Sequence, residues 1–232
     1  MDYVRRAGER GRVNIGWLDS QHSFSFGHYY DPKHMGFSVL RVINDDVVRP
    51  GYGFDEHAHR DMEIISYVVS GALAHKDSTG NDFNVPAGDI QRMSAGKGIR
   101  HSEYNPSQSY SVNFLQIWIT PDKSGIEPSY EQKTIDESTP VTPLINPTGT
   151  NGALSINQDV SIYKLTLAAN ASHRLTTGKR WGYLHLIKGT VTVEGTRFGA
   201  GDAFGLMQDK VVSVSATDDT EALWFDLPIG QS

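Results

Sequence analysis

Two short couplets, His57 with His59 and His101 with Glu103, stand in a segment of the chain that is rich in strand formers, such as residues 64–69. Side chains at positions i and i+2 of a β-strand point to the same face. Two such couplets on neighbouring strands would bring three imidazoles and one carboxylate together. The spacing therefore predicts a β fold that holds a metal site.

The second half of the chain repeats features of the first half. Residues 185–189 are similar to residues 67–71, and each segment is a predicted strand that ends in glycine. Residues 199–202 are similar to residues 86–89, and each segment contains an Ala-Gly-Asp turn that leads into another strand. A repeat of this kind, with short apolar runs between turn signals, predicts an all-β fold of two tandem antiparallel β-barrels.

The repeat also predicts two domains. A chain of 232 residues is long enough for two modest domains with real cores. Residues 1–135 are predicted to form an N-terminal metal-binding domain. Residues 136–232 are predicted to form a C-terminal domain that lacks metal ligands, because it contains neither His-x-His nor His-x-Glu. Residues 133–160, rich in proline and glycine, resemble a linker or a long surface connection.

Charge and cysteine content exclude several classes of function. The net charge of −6 supplies no basic excess for direct nucleic-acid binding, and the arginines near the start, Arg5, Arg6, Arg10 and Arg12, favour a solvated face. The absence of cysteine excludes disulfides, zinc–thiolate sites and thiol catalysis. Without a signal-peptide core or an apolar run of membrane-spanning length, the chain is predicted to be cytoplasmic, and we expect a monomer.

The glycine-spaced frame around the couplets resembles the cupin signature. Residues 51–63 match its first part, and Gly80-x5-Pro86-x-Gly88 matches its second part. More closely, residues 57–63 and 94–105 are similar to pirins, a family with two cupin domains. The resemblance covers at least residues 14–132 and implies two tandem cupin domains, each a double-stranded β-helix.

The resemblance implies one metal ion, usually iron(II), held by His57, His59, His101 and Glu103. Zinc, manganese, nickel, copper and cobalt are alternatives, since nitrogen and oxygen ligands of this kind do not select among them. Glu103 is also the predicted catalytic residue, because a carboxylate beside the metal could take a substrate proton. Gln91 stands where general cupins place a histidine ligand, and the pirin pattern takes its third imidazole from His101.

Bacterial pirin-like proteins of this length are associated with quercetin 2,3-dioxygenase activity, so the resemblance implies an enzyme that cleaves quercetin-like flavonols with O₂. The alternative from a different class is a metal- or redox-sensing regulator that binds a protein partner without turnover, as eukaryotic pirins are described. A weaker alternative is a metal-dependent isomerase or a sugar-binding cupin.

Other polar and aromatic residues receive less specific predictions. Glu63 is a candidate for orienting a metal ligand or capping a backbone amide. The isolated histidines His22, His28, His34 and His75 are predicted to be surface or packing residues. The core is predicted to include Phe24, Phe26, Phe37 and Phe114, of which one or two would line an aromatic pocket above the metal.

Overall fold

The computed structural model describes residues 1–136 and 139–230. Within these residues, every regular element is a β-strand except for one 3₁₀ helix at Ala7–Glu9, and strand pairing is antiparallel except between two short strands. The prediction of an all-β fold is therefore confirmed. No helix in this described part is long and apolar enough to cross a membrane.

The first half folds into a seven-stranded and a four-stranded sheet. The larger sheet has the spatial order β12 (Ser129–Thr134), β9 (Asp89–Ser94), β6 (Glu63–Ser70), β11 (Val112–Ile119), β4 (Leu40–Val48), β3 (Leu18–His22) and β2 (Gly11–Asn14). The smaller sheet has the order β5 (Gly53–His59), β10 (Ile99–Tyr104), β7 (Ala72–Asp77) and β8 (Asp82–Pro86).

The second half repeats this arrangement. Its larger sheet has the order β1 (Tyr3–Arg5), β20 (Ala203–Leu206), β17 (Trp181–Lys188), β22 (Thr220–Leu227), β15 (Ser161–Leu167), β13 (Val141–Asn146) and β14 (Leu154–Ser155). Its smaller sheet has the order β16 (Ser172–Thr176), β21 (Val211–Ala216), β18 (Thr190–Val193) and β19 (Thr196–Gly199).

The two copies of the predicted repeat occupy equivalent positions in the two halves. β6 ends just before Gly71, and β17 ends just before Gly189, and both glycines adopt positive φ angles of 78° and 82°. A Cβ atom at Gly189 would lie 2.5 Å from the Asp219 carbonyl oxygen, so the turn requires glycine. The tandem cupin fold is confirmed, while the boundary at residue 135 stays a prediction.

The two larger sheets share one hydrophobic core. Ile43, Ile65 and Ile117 stand opposite one another on adjacent strands of the first sheet. They belong to the same buried cluster as Tyr183 and Phe225 of the second sheet. The shared core holds the two halves together, and Trp181 packs against it, whereas Trp224 lies in the core of the second barrel.

Two expectations are wrong at the level of elements. Residues 141–146, expected within a linker, form β13, because Leu144 and Ile145 are fully buried and the strand pairs with β15. A register shift between Pro143 and Ile145 accommodates the proline, which has no amide hydrogen to donate. Arg5 does not belong to a solvated face but is 1% exposed on β1.

Candidate metal centre

The strands that carry the two couplets are neighbours in the smaller sheet of the first half. β5 and β10 run antiparallel, with His57 directly opposite His101. β5 carries an extra residue between the partners of His101 and Glu103, so a bulge lies there. The alternation of β10 is preserved, and His101 and Glu103 both point into the barrel, where each is 1% exposed.

Three imidazoles converge at this point. The ring centroids lie 4.7 Å apart for His57 and His59, 4.6 Å for His57 and His101, and 4.9 Å for His59 and His101. One ring nitrogen from each histidine lies within 4.8 Å of the others. The spacing is close enough for one ion to be reached by all three after small side-chain adjustments.

The chemical state of these rings suits metal binding. Burial, followed by the neighbouring imidazoles, lowers the pKa of His59 to about 4 and that of His101 to about 3, so both rings are neutral at pH 7. The Nδ1 atom of His57 lies 2.7 Å from the Asp55 carbonyl oxygen, to which it donates, leaving Nε2 with a free lone pair. Both ring nitrogens of His101 are buried without a hydrogen-bond partner. An orphaned buried imidazole is costly, and a metal ion would supply a partner for one of its two nitrogens.

Glu103 lies close to His101 but outside the group that the three imidazoles form. Its Oε1 atom accepts hydrogen bonds from the Ser66 hydroxyl and the Gln91 amide, both at 3.0 Å. Its Oε2 atom accepts one from the Gln116 amide at 2.6 Å. Three neutral donors thus hold the carboxylate, and one of its oxygen atoms lies within 4.8 Å of a ring nitrogen of His101.

These donors belong to a polar row that crosses the inner face of the larger sheet. The strand register places Gln91 opposite Ser66, Ser66 opposite Gln116, and Gln116 opposite Asn44. The residues one position away, including Ile65, face the shared core. Successive side chains of a strand point to opposite faces, so the row faces the barrel interior while its apolar neighbours face the shared core. The row therefore lies across the barrel from the strands that carry the histidines.

His75 lies deeper in the barrel. It is a packing residue as predicted, since it is 1% exposed and stacks on Tyr130 at 4.6 Å, and its Nε2 atom lies 3.0 Å from the Asp77 carboxylate. One of its ring nitrogens also lies within 4.8 Å of ligand atoms of His101 and Glu103. Three of the four predicted ligands, His57, His59 and His101, thus form one group. The fourth, Glu103, forms a second group with His101 and His75, and His75 was not predicted as a ligand.

The remaining predicted residues lie away from the imidazoles. Glu63 accepts hydrogen bonds from the Ser94 hydroxyl at 2.8 Å, from the Asn157 side chain at 3.2 Å and from the Asn157 backbone amide at 3.4 Å. It thus caps a backbone amide, one of its two predicted roles, and does so where the two halves meet. His28 is exposed, and His34 bonds the Tyr3 hydroxyl at 2.7 Å.

A small cavity of about 70 Å³ opens beside the imidazoles. Its walls are formed by Phe26, Asn44, Asp46, Phe54, His57, His59, Glu103, Gln116 and Trp118. Phe26 meets Trp118 edge to face at 5.2 Å, and Trp118 meets His59 at 5.0 Å. Phe26 is therefore the predicted phenylalanine at the pocket, while Phe24, Phe37 and Phe114 are buried in the core.

Several residues of this centre were missed by sequence reasoning. Ser66 and Gln116 each stand between two apolar neighbours, and Asn44 and Asp46 are buried at alternate positions of β4. A polar residue at an otherwise apolar alternating position is a signal that could have identified them. Sequence alone could not show that they meet Glu103 and the histidines, since the contacts come from strands distant along the chain.

Comparisons with known proteins agree with this architecture. The family described as Pirin matches residues 3–119, and the family described as the quercetinase C-terminal cupin domain matches residues 144–227. The protein named Quercetin 2,3-dioxygenase from Escherichia coli (strain K12) is 46% identical over 230 residues, covering 98% of this chain and 99% of that protein.

Solved structures show a similarity to the same group of proteins. The crystal structure of YhhW from Escherichia coli superposes with a TM-score of 0.95 at 44% identity and covers 99% of each chain. Bacterial pirin YhhW in complex with nickel(II), also from Escherichia coli, superposes with a TM-score of 0.94, also at 44% identity, covering 98% of this chain and 99% of that chain. The chain therefore belongs to the pirin family, as a two-cupin member of the quercetin 2,3-dioxygenase type.

Proposed function

We propose that this protein is a metal-dependent dioxygenase that cleaves quercetin-like flavonols with O₂. The observation that carries the proposal is the convergence of three imidazoles, with the buried Glu103 carboxylate next to His101, beside a cavity with aromatic walls. The name of the Escherichia coli relative, which is nearly half identical over almost the whole chain, supports the same substrate class.

His57, His59, His101 and Glu103 would hold one divalent transition metal. Iron(II) is the predicted ion, and manganese, cobalt, nickel, copper and zinc suit the same nitrogen and oxygen donors. A relative was crystallised with nickel(II), which supports a divalent ion at this centre. When bound, the ion would supply Lewis-acid polarisation of the flavonol oxygens and, if redox-active, electron transfer towards O₂.

Glu103 would be both ligand and catalytic base. A carboxylate offers about four lone-pair sites. Ser66, Gln91 and Gln116 already occupy three of them. One site remains, and it could bind either the ion or the proton of the flavonol 3-hydroxyl. To bind both, Glu103 would have to release one of its three hydrogen-bond donors; otherwise the proton would replace the ion.

The cavity limits how a flavonol could bind. At about 70 Å³ it is far below the ~300 Å³ of the smallest typical ligand pockets. The oxygen-bearing edge of the substrate would enter, with Phe26 and Trp118 against its ring face. Movement of the Phe26 side chain would be needed to admit more of the molecule.

Oxygen consumption with quercetin tests this proposal, using protein whose bound metal has been quantified. We expect O₂ uptake with matching release of carbon monoxide, abolished in His101→Ala and preserved in His28→Ala, which alters an exposed histidine outside the centre. Stoichiometric metal without O₂ uptake would contradict the dioxygenase. Partner capture that depends on the oxidation state of the metal would then support the regulatory alternative.

A further inference from the structure

Three buried polar atoms on the wall of the metal-side cavity have no hydrogen-bond partner. They are Asn44 Oδ1, Asp46 Oδ1 and Trp118 Nε1. Asn44 and Asp46 are 3% and 4% exposed and stand two residues apart on β4, so both side chains face the interior of the barrel. Trp118 stands on the adjacent strand β11, opposite Val42.

Orphaned polar atoms of this kind are costly to a folded protein. A buried donor or acceptor without a partner forfeits its hydration, and native structures contain few of them. The carboxyl of Asp46 illustrates the cost: burial, with smaller contributions from Asp45 and Glu103, raises its pKa to about 7, although a hydrogen bond with Ser20 opposes the rise. A ligand that supplies the missing partners would offset this cost.

The three atoms define the chemistry of such a ligand. Asn44 Oδ1 and Asp46 Oδ1 accept hydrogen bonds, whereas Trp118 Nε1 donates one. A hydroxyl group both donates and accepts, and an aromatic ring that carries hydroxyls would also suit the neighbouring Phe26. Asp46 belongs to neither group of described residues that could hold a metal, so its carboxyl is available to the organic ligand.

We propose that Asn44, Asp46 and Trp118 form a recognition site for phenolic hydroxyl groups of the substrate other than the one that binds the metal. The proposal rests on the proposed flavonol function and extends it, because it makes ring hydroxylation a determinant of specificity. A site built to hydrogen-bond a hydroxyl rejects an analogue that lacks it, since its buried polar groups stay unpaired.

The test compares the binding of two flavonols to zinc-loaded protein under nitrogen, where no turnover occurs. Quercetin carries several ring hydroxyls, whereas 3-hydroxyflavone carries only the metal-binding one. We expect wild-type protein to bind quercetin roughly 10- to 100-fold more tightly. Asp46→Leu and Asn44→Leu should each reduce this ratio about 10-fold, with little change for 3-hydroxyflavone.

Two further variants complete the experiment. Val47→Leu on the outward-facing side of β4 is the matched control and should preserve the wild-type ratio, since Val47 is 39% exposed. Asp46→Asn keeps the shape of the side chain and decides the question if Asp46→Leu does not fold. We expect it to reduce the ratio about 3-fold, because its side chain replaces one of the two carboxyl oxygens with an amide group that only donates hydrogen bonds.

The outcomes separate this inference from the proposed function. Retention of the wild-type ratio in Asp46→Leu and Asn44→Leu would overturn the recognition site while leaving the dioxygenase intact. Selective quercetin binding that these variants abolish, without any O₂ uptake in the iron-loaded protein, would uphold the recognition site and overturn the dioxygenase. Failure of wild-type protein to bind either flavonol would overturn both.

Discussion

Gln91 has a different role from the residue that general cupins place at the same position. The cupin resemblance places a histidine ligand at this position, and the glutamine found here instead donates to Glu103 at 3.0 Å. Its own amide oxygen accepts from the Tyr130 hydroxyl at 2.9 Å, which fixes the orientation of the amide. Gln91 therefore positions a predicted ligand.

We expect Gln91→Leu to weaken metal binding by about 10- to 100-fold, since partners that orient a ligand contribute on this scale. Competition with a chelator of known affinity measures the change. Gln132→Leu is a suitable control, because Gln132 lies opposite Gln91 on β12 but bonds Asn84 and Asp89. Equal affinities for wild type and Gln91→Leu would show that the orientation of Glu103 does not depend on this amide.

The raised pKa of Asp46 predicts that the stability of the protein depends on pH. Its pKa is raised from an ordinary value of 3.8 to about 7, so between these values the folded protein holds a proton that the unfolded chain releases. The contribution of Asp46 to stability is therefore full below pH 4 and is lost as the pH rises to 7.

Asp46→Asn should remove this slope. Urea unfolding of metal-free wild type and variant between pH 4 and pH 8 should show the variant gaining relative stability as the pH rises to 7. The other ionisable groups are the same in both proteins, so their contributions cancel in the difference. A difference that is constant with pH would contradict the raised pKa.

At the scale of elements, the alignment of β5 with β10 decides whether the couplets meet. Gly53 begins β5, and a Cβ atom there would lie 2.3 Å from the Glu103 carbonyl oxygen and 2.5 Å from the Tyr104 Cα atom. These are backbone atoms, so a larger residue would push the two strands apart.

We expect Gly53→Ala to lower metal affinity at least about 10-fold and to destabilise the protein by about 1–3 kcal/mol, although every candidate ligand is kept. Equilibrium dialysis and thermal unfolding measure the two effects. Gly80→Ala is a control at another turn, where the added Cβ atom would meet no neighbour, although its positive φ of 102° carries a strain of its own. Wild-type metal affinity in Gly53→Ala would show that the strands tolerate separation.

At the scale of the whole molecule, the first strand of the chain connects the two halves. β1 pairs with β20 of the second half. Arg5 on β1 donates to the Ser23 carbonyl oxygen at 2.8 Å and to the Tyr29 hydroxyl at 2.6 Å in the first half. A buried guanidinium thus bridges both halves next to their shared core.

Arg5→Ala should lower the free energy of unfolding by about 3 kcal/mol, because it leaves a cavity and unpaired buried acceptors. Arg12→Ala, which removes an exposed ion pair with Asp19, should leave the free energy of unfolding close to that of the wild type. Urea denaturation compares the two. Similar losses in both variants would contradict the bridging role of Arg5.

The sequence by itself determined the fold class and the tandem repeat, and it predicted the three histidines that the structure brings together. Strand alternation and glycine spacing are local properties, and they place His57 with His59 and His101 with Glu103 on shared faces. The same reasoning failed for β13 and Arg5. Buried apolar side chains outweighed a proline-rich composition in β13, and a partner strand from the other half covered Arg5.

Only the tertiary structure decided what surrounds the ligands. The polar row of Gln91, Ser66, Gln116 and Asn44 comes from four strands whose order in the sheet differs from their order in the chain. Which residues face each other across a barrel depends on strand register and on the packing of two sheets. These are non-local quantities, so no short segment of the chain encodes them.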